Sequence, residues 1–354
     1  MSDADSIIVD TTTKIFQDLC DPQTVNNAED ESWRQPLWSA LEESGLTLTW
    51  VPDTLGGAGA ELQDGFDVLR VAGGFAVPVP LAETLLAGWL LSKAGLESPQ
   101  GAMTVAPVQD SDRLTLGGDG AMSGTARRVP FARDAEKIAV LARRGDAPVV
   151  ALVDRADCAV SDGRSLADEA RDDVTFDGAT PSVVADAPAG LDESALMLMG
   201  AAVRANQMAG ALQAVLDVSV EYSKDRVAFE RPIAKFQAVQ HNLARLAGET
   251  AAAVAAAGSA ADALSRHAGF DEHVFLEIAS AKIRVGEAAG EGAAIGHQVH
   301  GAIGFTIEHI LHRFSRRLWS WRDDFGSESE WAVRLGNMIA EKGADELWPT
   351  LTAG

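Results

Sequence analysis

Hydrophobic positions recur at helical spacing in SWRQPLWSALEESGL, where Trp33, Leu37 and Leu41 share one face and Gly45 supplies the stop. VPDTLGGAGAE is marked by Pro and Gly as turns, and ETLLAGWLLSKAG reads as a second, largely apolar helix ending near Gly95. From about residue 101 the pattern changes. TVAPV, RLTL, MSGTARRVPF, KIAVLA and PVVALV are short strand-like runs separated by GGDG and RRGDAP turn signals, which predicts a small antiparallel barrel or sandwich. SDGRSLADEARDD is polar and reads as a surface loop. From about residue 189 helical periodicity returns in three long stretches, LDESALMLMGAAVRANQMAGALQAVLDVSVEY, HNLARLAGETAAAVAAAGSAADALSRHAG and EHVFLEIASAKIRVGEAAGEGAAIGHQVHG, with Asp192 or a neighbour placed to cap the first. Their alanine density favours helix and permits close interhelical approach. Antiparallel helices of this length predict a four-helix bundle. The expected class is therefore α+β: an N-terminal helical domain at 1–100, a β-barrel domain at 101–187 and a helical bundle at 188–354.

Composition narrows the function. No apolar run reaches the ~20 residues a membrane span needs, since Glu83 and Lys93 interrupt the richest window. MSDADSIIVD is acidic and lacks the basic start of a secretory signal. Cys20 and Cys158 are the only cysteines and stand far apart, so no disulfide framework or CxxC pair is present. A cytoplasmic protein is expected. The net charge of -23 disfavours nucleic acid and anionic membrane as partners. It also requires any phosphate-bearing ligand to find a locally basic site. The densest basic window is RFSRRLWSWR, with Arg313, Arg316, Arg317 and Arg322, expected as a solvated or interface helix face. No dinucleotide-binding glycine fingerprint, P-loop, HExxH or GxSxG occurs. The histidines and cysteines form no metal-ligand spacing, and His309 with His312 is expected as a solvated or core pair on one helix face.

Two windows carry a more specific signal: RVAFERPIAKFQAVQHNLA (226–244) and QVHGAIGFTIEHILHRFSRR (298–317). They resemble the acyl-CoA dehydrogenase family, whose usual forms are R-x-x-F-G-x-P-I-x-x-F-Q-x-x-Q-x-x-L-A and Q-x-x-G-G-x-G-F. VPDTLGGAGAE and AVPVPLAETLLAG look like that family's N-terminal domain, so the resemblance extends over nearly the whole chain. It implies the same three-part fold. It also implies that Arg226 reaches the diphosphate of FAD, where a planar guanidinium suits the ligand. Phe229 would pack beside the flavin, and Phe236 and Gln237 along the adenosine half. Gln298, Gly301 and Ala302 would bring backbone close to the ADP portion. In the family these motifs complete the FAD site of the neighbouring subunit, while each chain's β domain holds its own flavin.

That own half departs from the pattern. Against the family's A-M-T-E-P-x-A-G-S-D, this chain has GAMTVAPVQDSD, which keeps Met103 and Thr104 but not the Glu-Pro-Gly part. The W-I-T-N window falls near RRVPFARDA, with neither Trp nor Thr. The chemistry needs one carboxylate within reach of the thioester's α-proton. The family's usual Glu precedes a Gly, and here that pair is Phe325–Gly326. The family's other location, early in the first bundle helix, aligns with Ser194, beside Glu193. Asp323, Asp324 and Glu328 are further carboxylates nearby, although acidic residues at helix starts are usually caps. No catalytic residue is assigned; Glu193 and Asp324 are the weak candidates. Glu230 and Ala302 also replace family glycines.

The chain thus looks like the shortened subunit of bacterial heteromeric (α2β2) acyl-CoA dehydrogenases, with one flavin site per heterodimer, many acting on CoA thioesters of steroid side chains. The resemblance implies FAD as cofactor, an acyl-CoA substrate, a second dehydrogenase-like subunit and an electron-transfer flavoprotein as acceptor. Two other readings stand beside it: a self-sufficient homo-oligomeric dehydrogenase with an atypical base, and a flavin-free scaffold or regulatory protein on the same fold.

Overall fold

Apolar spacing resolves into helix through the first part of the chain. The computed structural model describes residues 3–352, so Met1 and Ser2 of the acidic N-terminal stretch lie outside the described residues. Helices α1 (Asp3–Leu19), α2 (Pro22–Asn26), α3 (Arg34–Glu43), α4 (Leu62–Gly74) and α5 (Leu81–Lys93) come first. Helix α3 buries Leu37 and Leu41, and Gly45 turns the chain away at a φ of 70°. Helix α5 is buried on all sides from Leu81 to Leu91, Glu83 included, so a carboxylate inside it requires a charged partner.

Strands follow: β1 (Met103–Ala106), β2 (Thr115–Leu116), β3 (Met122–Pro130), β4 (Lys137–Arg144), β5 (Ala147–Asp154), β6 (Ala159–Ser161), β7 (Arg171–Ala179) and β8 (Val183–Asp186). They form one sheet in the order β6-β7-β3-β2-β4-β5-β8, with β1 pairing β4. The expected antiparallel layer is thus mixed: β1 and β2 each run parallel to β4. The apolar residues of β4 and β5 that read as continuous runs are buried on both faces.

Helix α6 (Glu193–Asp225) begins the bundle, and the Asp192 carboxylate accepts the Ala195 N–H at 3.0 Å as its cap. A short hairpin, β9 (Val227–Ala228) and β10 (Arg231–Pro232), leads to α7 (Gln237–Arg266) and α8 (Glu272–His300). The alanine-rich face of α7 is buried at Ala253, Ala257, Ala260 and Ala261. Helices α9 (Leu311–Arg322) and α10 (Glu328–Lys342) pack on α8 in place of a fourth long helix, and α11 (Leu347–Thr352) ends the described chain. Glycine sets the closest crossing, between α4 and α6. A Cβ on Gly210 would sit 1.9 Å from the Arg70 carbonyl oxygen, and one on Gly73 would sit 2.0 Å from that of Gln207. No described helix is long and apolar enough to cross a membrane.

Two local expectations change. The arginine-rich face of α9 is not solvated, because the 162–170 segment covers part of it: Arg317 is 4% exposed and pairs with Glu169 at 2.8 Å. His309 lies before α9 rather than on it, where its Nδ1 accepts the Leu311 N–H.

Candidate functional site

The residues of the 226–237 window stand at one end of the bundle. Arg226 closes α6, its N–H donating to the Tyr222 carbonyl at 2.9 Å. The hairpin then turns through Phe229 (φ 52°) and Glu230 (φ 66°), both left-handed. A two-residue turn of this hand favours Gly or Asn; Glu230 adopts it at a cost of about 1 kcal/mol or more. The turn projects Phe229, which is 90% exposed, and Glu230 points out with it. Phe236 is half-buried, edge-on to Phe229 at 6.2 Å, with the Arg231 guanidinium 4.2 Å above its ring. Gln237 is exposed.

The second window lies against the first. Tyr222 stacks on His300 at 4.4 Å, and its hydroxyl donates to the His300 carbonyl at 3.3 Å. The end of α6 is therefore tied to the end of α8, which brings Arg226 and Gln298–Ala302 to the same end of the bundle. Gln298, Gly301 and Ala302 are exposed. Gly301 has a φ of 66°, and the space where its side chain would be is open. A ligand can approach the backbone there.

Histidines underlie this loop. His297 stacks on Phe305 at 4.1 Å, and His300 packs against His309 at 4.5 Å while its Nδ1 donates to the Gly296 carbonyl at 2.8 Å. Burial pushes the His300 imidazole down to about 4 from an ordinary 6.5. Between these values the unfolded chain binds a proton that the folded chain does not, so stability falls as pH falls from 6.5 toward 4. Urea unfolding across that range should show the decline, and a His300→Gln variant should show a shallower one.

Met103 and Thr104, the residues kept from the family's strand motif, are fully buried. The Thr104 hydroxyl donates to the Pro130 carbonyl at 2.7 Å. Phe325 is buried and lies against α6 at Gly200, where a Cβ would fall 2.2 Å from its ring. The α6 residue against the Phe325 ring is thus Gly200, six residues after Ser194.

Beside Phe325 runs a buried ionic chain. The Asp324 carboxylate accepts from Arg171 at 2.7 Å and Arg204 at 2.9 Å, and Arg204 also donates to Glu83 at 2.6 Å and Gln207 at 2.5 Å. Burial alone would raise the Asp324 carboxyl; Arg171 and Arg204 outweigh it and hold it below the usual range. Lys282 is fully buried, and its ammonium donates to the Trp321 and Arg322 carbonyls at the end of α9.

Three of the four carboxylates singled out are held in ion pairs. Asp324 is held by two arginines. Glu193 is held by both arms of Arg143 at 2.7 Å, and these hydrogen bonds lower its carboxyl. Glu328 is paired with Arg322, and Asp323 is exposed at the end of α9. The Glu83–Arg204–Asp324–Arg171 chain was not anticipated. Its signal in the sequence was the presence of Glu83 and Arg204 within otherwise apolar helical runs. Among the described residues, no group of three or more His, Cys, Asp or Glu side chains is arranged to hold a metal ion.

This fold is that of the acyl-CoA dehydrogenases. The model of the acyl-CoA dehydrogenase C-terminal domain matches residues 193–322. The relatives this chain matches across most of its length are acyl-CoA dehydrogenases. The chain is 29% identical over 291 residues to the acyl-CoA dehydrogenase IpdE2 of Mycobacterium tuberculosis, covering 82% of each chain. Among solved structures, the ChsE4-ChsE5 complex from Mycobacterium tuberculosis has the same fold, with a TM-score of 0.86 at 22% identity over 97% of this chain and 99% of that one. The Tcur3481-Tcur3483 steroid ACAD (G363A variant) gives 0.83 at 26% identity over 96% and 98%.

Proposed function

We propose that this chain is one subunit of a heteromeric, FAD-dependent acyl-CoA dehydrogenase of the cytoplasm, in an α2β2 assembly with a second dehydrogenase-like chain. The substrate class is a CoA thioester with a steroid side-chain acyl group, a reading supported by the likeness to a steroid ACAD, and the electron acceptor is an electron-transfer flavoprotein. FAD, when bound, supplies the hydride acceptor for α,β-dehydrogenation. This chain's part is to position it. Arg226 meets the diphosphate, Phe229, Phe236 and Gln237 line the flavin and adenosine, and Gln298, Gly301 and Ala302 lie along the ADP backbone. The partner holds the rest of the cofactor and provides the base.

One contrast carries this reading. The cofactor-facing residues stand on an exposed surface: Arg226 has no acidic partner among the described residues, and Phe229 projects outward. The place of the base holds Phe325 and a closed set of buried ion pairs. Val227, Phe305 and Ile307 are exposed in the same hairpin and loop, an apolar surface of the kind that marks a protein interface. In the assembled enzyme, Glu193→Gln should leave kcat within about two-fold, as measured by steady-state dehydrogenation. A fall of ~100-fold or more, the size general-base removal produces, would move the base onto this chain and favour the self-sufficient enzyme.

A further inference from the structure

A second basic site lies where the 162–170 segment crosses the start of α9. A cavity of about 180 Å³ there is lined by Ala167, Asp168, His312, Arg313, Arg316 and Arg317. Its donors are unevenly used. Arg316 pairs with Asp168 at 2.5 Å. Arg317 pairs with Glu169 and donates to the Arg313 carbonyl at 2.9 Å, but its Nε has no partner. On Arg313 both Nε and Nη2 are buried without a hydrogen-bond partner. These two atoms form the edge of a guanidinium that receives an oxyanion through two parallel hydrogen bonds.

The charges around this edge do not balance internally. Three guanidiniums face two carboxylates, Asp168 and Glu169. Cys20 lies close by from the N-terminal helices, but burial pushes its thiol up to about 11 and so keeps it neutral. His309 and His312 are held below their ordinary value by burial and contribute no anion. Burial also brings Arg313 down to about 10, the sign of a cation short of counter-charge. Arg313 sits in the first turn of α9, the end where the helix dipole disfavours cations. Buried, unpartnered donors of this kind are rare in native proteins and call for an occupant.

We propose that this cavity binds a phosphate group, seated on the Nε–Nη2 edge of Arg313 with Arg316 and Arg317 beside it. None of the cavity's lining residues is among those assigned to the cofactor. The group can arrive as orthophosphate or at the end of a nucleotide.

Equilibrium dialysis of the purified chain with labelled orthophosphate, and separately with ADP, at constant ionic strength in chloride tests this. One saturable phosphate site per chain is expected. Arg313→Gln should weaken it ~10-fold or more, the worth of a lost charge-assisted pair. Arg313→Lys, which keeps the charge and loses the fork, should also weaken it, while Arg226→Ala should leave it unchanged. ADP binding tighter than orthophosphate would identify a nucleotide as the source, and equal affinity would identify the free anion. Absence of saturable binding to the wild-type chain, or binding to both Arg313 variants as tight as to wild type, overturns the proposal. The wild-type titration decides the matter even if a variant does not fold, and neither result bears on the flavin site.

Discussion

Arg226→Ala should lower the FAD affinity of the assembled enzyme ~10- to 150-fold, the span of the ~1.5–3 kcal/mol that a hydrogen bond to a charged group contributes. The loss should appear in this chain's variant even though the flavin is held mainly by the partner. Arg226 caps the end of α6 from the bundle surface, and none of its side-chain bonding capacity is used within the described chain. Removing it therefore costs this chain's own fold little, and thermal unfolding of the isolated variant should match wild type. Fluorescence titration of the apo-complex with FAD measures the effect. Arg226→Lys should recover only part of it, since an ammonium lacks the fork that grips a diphosphate.

The largest effect on stability is expected from Asp324→Asn. Asp324, Arg171, Arg204 and Glu83 are each about 5% exposed or less, and the Asp324 carboxylate is the link between the two guanidiniums. Neutralising it leaves Arg171 without its carboxylate and Arg204 with Glu83 alone. Breaking a buried pair from one side costs ~3–5 kcal/mol, mainly because the remaining charge is left uncompensated. The urea midpoint should fall accordingly. As a comparison, Arg144→Ala removes an ion pair with Asp186 that is exposed on both sides, and such pairs are worth at most ~1 kcal/mol.

What could be read from the sequence was what is local. The hairpin and the 298–302 loop announce themselves because each packs several motif residues into a short window, and the caps at Asp192 and Gly45 depend on neighbours a few residues away. The buried ionic chain was hidden because Arg204 and Asp324 are 120 residues apart and meet only when α9 docks on α6. Which residue of α6 meets Phe325 is not legible for a similar reason: an apolar, small-residue helix offers no sequence mark for which residue faces a neighbour, and Gly200 is revealed by contact alone. The arginines of α9 were read as a solvated or interface face, and helical spacing cannot show that a β-domain segment covers part of it. The parallel β1–β4 pairing was likewise outside the reach of short strand patterns.

The claim at the centre of this account is that the cofactor face of this chain serves a flavin held by another. Flavin stoichiometry tests it most directly, with visible absorbance paired with mass from light scattering, on the chain purified alone and after co-expression with a full-length dehydrogenase-like partner. The account predicts a colourless chain alone and one FAD for each pair of unlike chains in the complex. One FAD per chain in the isolated protein would contradict it, and would place a complete flavin site within this chain.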